Sequence, residues 1–212
     1  MRQRHRLART RPMIVYADEA MVVADKPAGL LSVPGRGPDK QDCLVARVRD
    51  TYPDALTVHR LDMATSGLIV LGRGPNAQRA LSQAFENRRT EKRYIAVVHG
   101  HTPDEGEVNL PLITDWPNRP RQKVDHDIGK PSLTRYRIIS RDDTTSRVEL
   151  EPVTGRSHQL RVHMLAIGHP IVGDEFYCPD IPAPRMLLHA ERLAVPHPLT
   201  GEMVRFYSPA AF

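Results

Sequence analysis

The spacing of short apolar runs constrains this chain more than any other feature, because they recur at strand length without a regular strand-helix alternation. MIVYA begins at Met13, an acidic turn follows at Asp18 and Glu19, and residues 21–24 form a second run. LIVLGR (68–73), KRYIAVVHG (92–100), residues 136–140 and residues 147–153 continue the pattern, the last two joined through residues 142–145. RMLLHAERLAVPHPLTGEMVRFYSP adds two more around a turn at 198–201. Runs of four to nine such residues bounded by turn formers read as strands.

Helical signals are fewer. PNAQRALSQAFENRR starts with Pro75 in the first turn and repeats Ala77, Ala80, Leu81, Ala84 and Phe85 at helical spacing. A second helix is expected over 157–166, stopped by Gly168 and Pro170, with Leu160, Met164 and Ile167 on one face and His158, Arg161 and Leu165 on another. Asp42 is expected to cap a short helix carrying Leu44, Val45 and Val48 and ending near Tyr52 and Pro53. LPLITDWPNRPRQKV reads as mostly irregular. Many strands with few helices predict an α+β fold, a mixed and mainly antiparallel β-sheet flanked by a few helices.

Two distant cysteines, Cys43 and Cys178, match no paired metal spacing, argue against a disulfide framework and fit a reducing cytoplasm. No apolar run is long enough to span a bilayer, so a membrane role is not expected. Of the net charge of +5, five arginines lie in MRQRHRLARTRP without an acid, leaving equal acidic and basic counts elsewhere. Residues 1–12 therefore read as a flexible basic arm and residues 13–212 as a single domain, with any polyanion held by local patches.

Ten histidines invite a metal site, but His158, His163 and His169 lack a ligand spacing that places them on one helical face, and no metal is expected. VPGRGPDK and VLGRGPN lack the ending of a phosphate loop, and Ser66 lacks a nucleophile-elbow context. Asp174 and Glu175 in GDEF are of the kind usually found at surfaces or turns. That leaves Asp62 in VHRLDMATSG, placed between a basic pair and small residues in a loop entering an apolar strand. A turn or capping aspartate is the plain alternative for it.

VHRLDMATSGLIVL resembles the catalytic motif of the RluA branch of pseudouridine synthases. DKPAGLLSVPG, EKRYIAVVHG, GRSHQLRVHMLAIGHPIVGD and RMLLHAERL resemble further motifs of that branch in the same order, from about residue 14 to the end. The resemblance implies a pseudouridine synthase fold with an active-site cleft across the sheet; the S4-type RNA-binding domain of several relatives is not expected, since only the short Arg-rich arm precedes the first strand. The resemblance implies an isomerase that breaks the N-glycosidic bond of a uridine in RNA, turns the uracil and joins it to the same ribose through carbon. No atoms are gained or lost, so no cofactor is expected.

By the same resemblance Asp62 is the nucleophile, on ribose or base, and Arg161 is the cation that pairs with it. Tyr94 stacks on the uracil and handles a proton at C5. Arg60 fills the place of an extruded nucleotide, with His59 facing the same RNA, and Leu160 and Leu187 line the uracil pocket. Arg88, Arg89, Lys92 and Arg93, with Arg119, Arg121 and Lys123, form a candidate phosphate patch. SVPGRG and LPLITDWPNRPRQKV look most like the dual-substrate members, implying stem-loops of tRNA and 23S ribosomal RNA as partners; a monomer is the expected working form. An RNA-binding assembly protein without isomerase chemistry, and an RNA glycosidase releasing uracil, are the competing expectations.

Overall fold

The computed structural model describes residues 13–212. The basic arm expected at residues 1–12 lies outside them. In chain order the elements are β1 (Met13–Ala17), β2 (Met21–Lys26), α1 (Leu44–Arg49), β3 (Ala55–Thr57), β4 (Ser66–Arg73), α2 (Gly74–Glu86), β5 (Glu91–His99) and β6 (Glu105–Asn109). They continue with β7 (Leu112–Thr114), β8 (Gln122–Val124), β9 (Leu133–Arg141), β10 (Thr145–Pro152), α3 (Gln159–Ala166), β11 (Leu188–Pro196) and β12 (Met203–Tyr207).

One large sheet runs β1-β2-β4-β11-β5-β10-β9-β6, with β12 added to β11 and β3 to β4. Every pairing in it is antiparallel except β4 with β11, which makes the sheet mixed as expected. Strand alternation sorts its faces. On β2 and β4, Val22, Ala24, Ile69 and Leu71 pack against α1, whereas Met21, Val23, Leu68 and Val70 pack with Leu81 of α2. That two-sided burial explains why β4 is continuously apolar. A third cluster joins Ala96, Val98, Val148 and Leu150 to Leu160 and Met164 of α3.

The parallel junction fixes a row of residues across the sheet. Lys26 pairs with Gly67, Gly67 with Ala190, Ala190 with Tyr94, and Tyr94 with Leu150. Gly67 has φ +110°, and a Cβ there would run into the Ala190 backbone, so only glycine allows this approach. The row places the loop preceding β4 one strand away from β5, with β11 between them, in the middle of the sheet.

Several local expectations are corrected. Asp42 does not cap α1: Cys43 holds the N-cap position, and the Asp42 carboxylate takes Nε and Nη2 of Arg47 at 2.8 Å each. The stretch read as irregular contains the β7–β8 hairpin, registered through Leu112 and Val124 and too short for a periodicity signal. EGEVN forms edge strand β6 despite its charge, because only one side needs a partner. His158 lies outside α3 in a left-handed conformation, φ 53°, and Leu165 is exposed while Arg161 is buried, so those three do not share a face.

Candidate active site

Asp62 sits in the loop between β3 and β4, and the flanking residues are held from two directions. Ser32 donates from Oγ to the Leu61 carbonyl at 2.7 Å and accepts the Leu61 N–H at 3.1 Å. The Met63 carbonyl receives the Gly29 N–H at 2.8 Å and Lys26 Nζ at 3.2 Å. Leu61 is buried in the α1 cluster, and the Thr65 N–H closes a turn onto the Asp62 carbonyl at 3.1 Å. The carboxylate between these anchors is half-buried and has little freedom to swing.

Its main partner is Arg161, whose Nη1 donates to Oδ2 at 3.0 Å. Arg161 is 4% exposed, and its Nε and Nη2 bind the buried Asp174 carboxylate at 2.6 and 2.8 Å. The guanidinium also lies 5.2 Å from the Phe176 ring and 5.0 Å from the Tyr177 ring. A planar fork with one edge on Asp174 can present its remaining nitrogen in a single direction. Asp174 is therefore no surface acid: it accepts the Phe176 and Tyr177 N–H groups as well, and orients the cation that faces Asp62.

Two further groups respond to Asp62. Tyr94 packs against both the α1 and α3 clusters, and burial, reinforced by the Asp62 charge, raises its hydroxyl pKa so that the phenol stays protonated. His158 Nε2 is 3.8 Å from Asp62 Oδ2, while its Nδ1 is 2.8 Å from the Tyr177 hydroxyl, which accepts the Gln122 N–H at 2.7 Å. Burial lowers the His158 pKa against the opposing pull of Asp62. Lys26, fully buried, donates to the carbonyls of Pro27, Leu30 and Met63, and burial brings its pKa down to about 7.

Asp62, Tyr94 and Arg161 are thus brought together, and Leu160 is buried in the cluster on which Tyr94 packs. Arg60 is exposed, with no hydrogen bond or ion pair among the described residues. Leu187 is half-buried, its backbone bound to Val97 and Val172 and its side chain outside that cluster. His59 does not face outward with Arg60. Its Nε2 accepts the Val70 N–H at 3.1 Å and its ring stacks on Phe85 at 4.3 Å, because β3 and β4 need a partner for that amide. Burial, with Lys92 nearby, lowers its pKa to about 3.

Sequence reasoning gave no role to Lys26, Ser32, His158, Asp174 or Tyr177. Lys26 and Asp174 lie within the motifs DKPAG and IVGD, but their work is contact with backbone carbonyls or a buried guanidinium. Among the described residues no group of three or more His, Cys, Asp and Glu side chains is arranged to hold a metal ion. No described helix is long and apolar enough to cross a membrane.

Comparison with known proteins gives the class first. A profile described as RNA pseudouridylate synthase matches residues 20–166, and the chain belongs to that family. Among individual proteins, it is 53% identical over 205 residues to the dual-specificity RNA pseudouridine synthase RluA of Escherichia coli strain K12, with 94% of each chain covered. The protein of the same name from Yersinia pestis is 52% identical, covering 94% of this chain and 100% of the relative. Of solved structures, human RNA pseudouridylate synthase domain containing 1 superposes with a TM-score of 0.80 at 30% identity, covering 96% of this chain and 85% of that one. Human domain containing 4 shares the fold, TM-score 0.74 at 23% identity. The protein is an isomerase that makes pseudouridine in RNA.

Proposed function

We propose that Asp62 is the nucleophile of this isomerisation and that the chain acts on stem-loops of both tRNA and 23S ribosomal RNA. The observation that carries the first part is the 3.0 Å contact between Asp62 and a guanidinium itself clamped by Asp174. A carboxylate aimed by a buried cation and held at both flanks is preorganised for attack. In the reaction the C1′–N1 bond breaks, uracil turns within the site, and a C1′–C5 bond forms. The C5 proton leaves and N1 gains one, so the product has the mass of the substrate.

Tyr94 takes the position under the uracil, with Leu160 and Leu187 bounding the base; because its phenol is held protonated, it takes the C5 proton only as it passes its own hydroxyl proton on, to the Asp62 carboxylate freed once the new bond has formed or to water. Arg60, without a hydrogen bond or ion pair among the described residues, fills the gap left by the extruded nucleotide. His59, its ring on Phe85 and its Nε2 on the Val70 N–H, supports β4, which leaves Arg60 as the residue of the pair that fills the gap.

The dual substrate is supported by the dual-specificity name of the relatives at about half identity, and by the β7–β8 hairpin beside the site. Asp62, Tyr94 and Arg161 meet within one chain, so the site needs no second copy, which supports a monomer as the working form; tRNA and ribosomal RNA as substrates support the cytoplasm as its place. Carbodiimide mapping of total tRNA and ribosomal RNA from a deletion strain tests the substrate assignment. One pseudouridine in a tRNA anticodon stem-loop and one in a 23S hairpin should vanish and return with the gene; loss in only one RNA class would refute the dual reading.

A further inference from the structure

The turn between β7 and β8 holds the chain's only tryptophan, Trp116, and leaves it 67% exposed. An exposed indole needs a reason, since tryptophan is strongly buried on average. The Arg119 guanidinium lies 4.1 Å from the Trp116 ring centroid, so cation and ring form one stacked unit. The turn is braced: Asp115 N–H donates to the Arg121 carbonyl at 2.9 Å, Asn118 N–H to the Asp115 carbonyl at 3.0 Å, and Asn118 Nδ2 to the Asp115 carboxylate at 2.9 Å. The sequence WPNRPR, residues 116–121, carries two arginines and no acid.

This turn adjoins the chemistry. Arg121 lies 6.0 Å over the Phe176 ring, the same ring that packs on Arg161, and the Gln122 N–H binds the Tyr177 hydroxyl that meets His158. A rigid, exposed aromatic surface backed by positive charge, at the rim of a site that takes a nucleotide out of an RNA loop, matches what an unstacked base requires. We infer that Trp116, braced by Arg119, is a stacking platform for one loop base of the substrate RNA other than the target uridine. The inference rests on the synthase reading above.

The single tryptophan supplies its own reporter. Full-length Asp62→Asn protein is titrated with the stem-loop that the wild type modifies, following tryptophan fluorescence, and then with versions carrying one abasic loop position at a time. Saturable quenching is expected, lost at one abasic position outside the target. In the otherwise wild-type enzyme, Trp116→Ala should raise KM about five-fold or more, with the loss in KM rather than kcat, and Trp116→Phe should recover most of it. Fluorescence unchanged at saturating RNA, or an unchanged KM in Trp116→Ala, overturns the platform. A wild-type enzyme that fails to isomerise the stem-loop would instead count against the synthase reading, and the two failures are distinct.

Discussion

Arg161 gives two guanidinium nitrogens to Asp174, at 2.6 and 2.8 Å, and turns only the third toward Asp62. The buried acid thus sets the angle at which the cation meets the carboxylate. Asp174→Asn keeps the shape but removes the charge, and kcat is expected to fall about 10- to 100-fold with little change in KM, since geometry and not RNA contact is lost. Asp174→Ala leaves a buried guanidinium half-unpaired, and chemical denaturation should show a loss of about 3–5 kcal/mol. Steady-state kinetics on both variants check the split.

The His59 ring must stay unprotonated to accept the Val70 N–H, and its folded pKa of about 3 lies below the ordinary 6.5. Between those values the unfolded chain binds the extra proton, so this contribution to stability is complete above pH 6.5 and is lost as pH falls toward 3. His163 and His189, buried and also lowered, add to the same trend. Replacing His59 with Gln, which keeps an acceptor but no titration, should flatten the dependence of stability on pH in that window by at most about 1.4 kcal/mol per pH unit. Urea denaturation across the window measures it.

Arg60→Ala is expected to lower kcat/KM on a folded loop about 10-fold, and Arg88→Ala much less, because filling a vacated stack is local whereas phosphate contacts are distributed. Turnover on a folded stem-loop and on a single strand of the same sequence separates the effects. Equal losses in both variants would remove the flipping role from Arg60.

Gly67→Ala should destabilise the protein by about 3 kcal/mol or more, because the new methyl group meets the Ala190 backbone at a positive φ. A thermal melt of the purified variant shows it. This position also marks how far the sequence was legible. VHRLDMATSG located the loop and its tight entry into β4, and the alternation of residues 21–24 and 68–73 gave the central strands, since local pattern decides both. The parallel pairing of β4 with β11 joins residues more than a hundred positions apart, and no local signal carries it.

The same limit applies to the site. Asp62 and Arg161 were readable from the motifs that resemble the family's, but Ser32 and Lys26 act by holding carbonyls of a loop 29 and 37 residues away, and Asp174 by holding a side chain. The contact of His59 with Val70 was not legible, because a histidine next to an exposed arginine gives no sign of which way its ring turns. Edge strand β6 and the short β7–β8 pair were hidden by charge and by length, since three residues cannot display a period.

The most direct test of Asp62 uses RNA tritiated at uridine C5, because forming the C1′–C5 bond releases that hydrogen to water. Wild-type enzyme should release tritium in proportion to pseudouridine formed, without freeing uracil. Asp62→Asn should release none, while a filter-binding assay shows RNA still bound. Tritium release by Asp62→Asn at a rate near that of the wild type would contradict the assignment of the nucleophile.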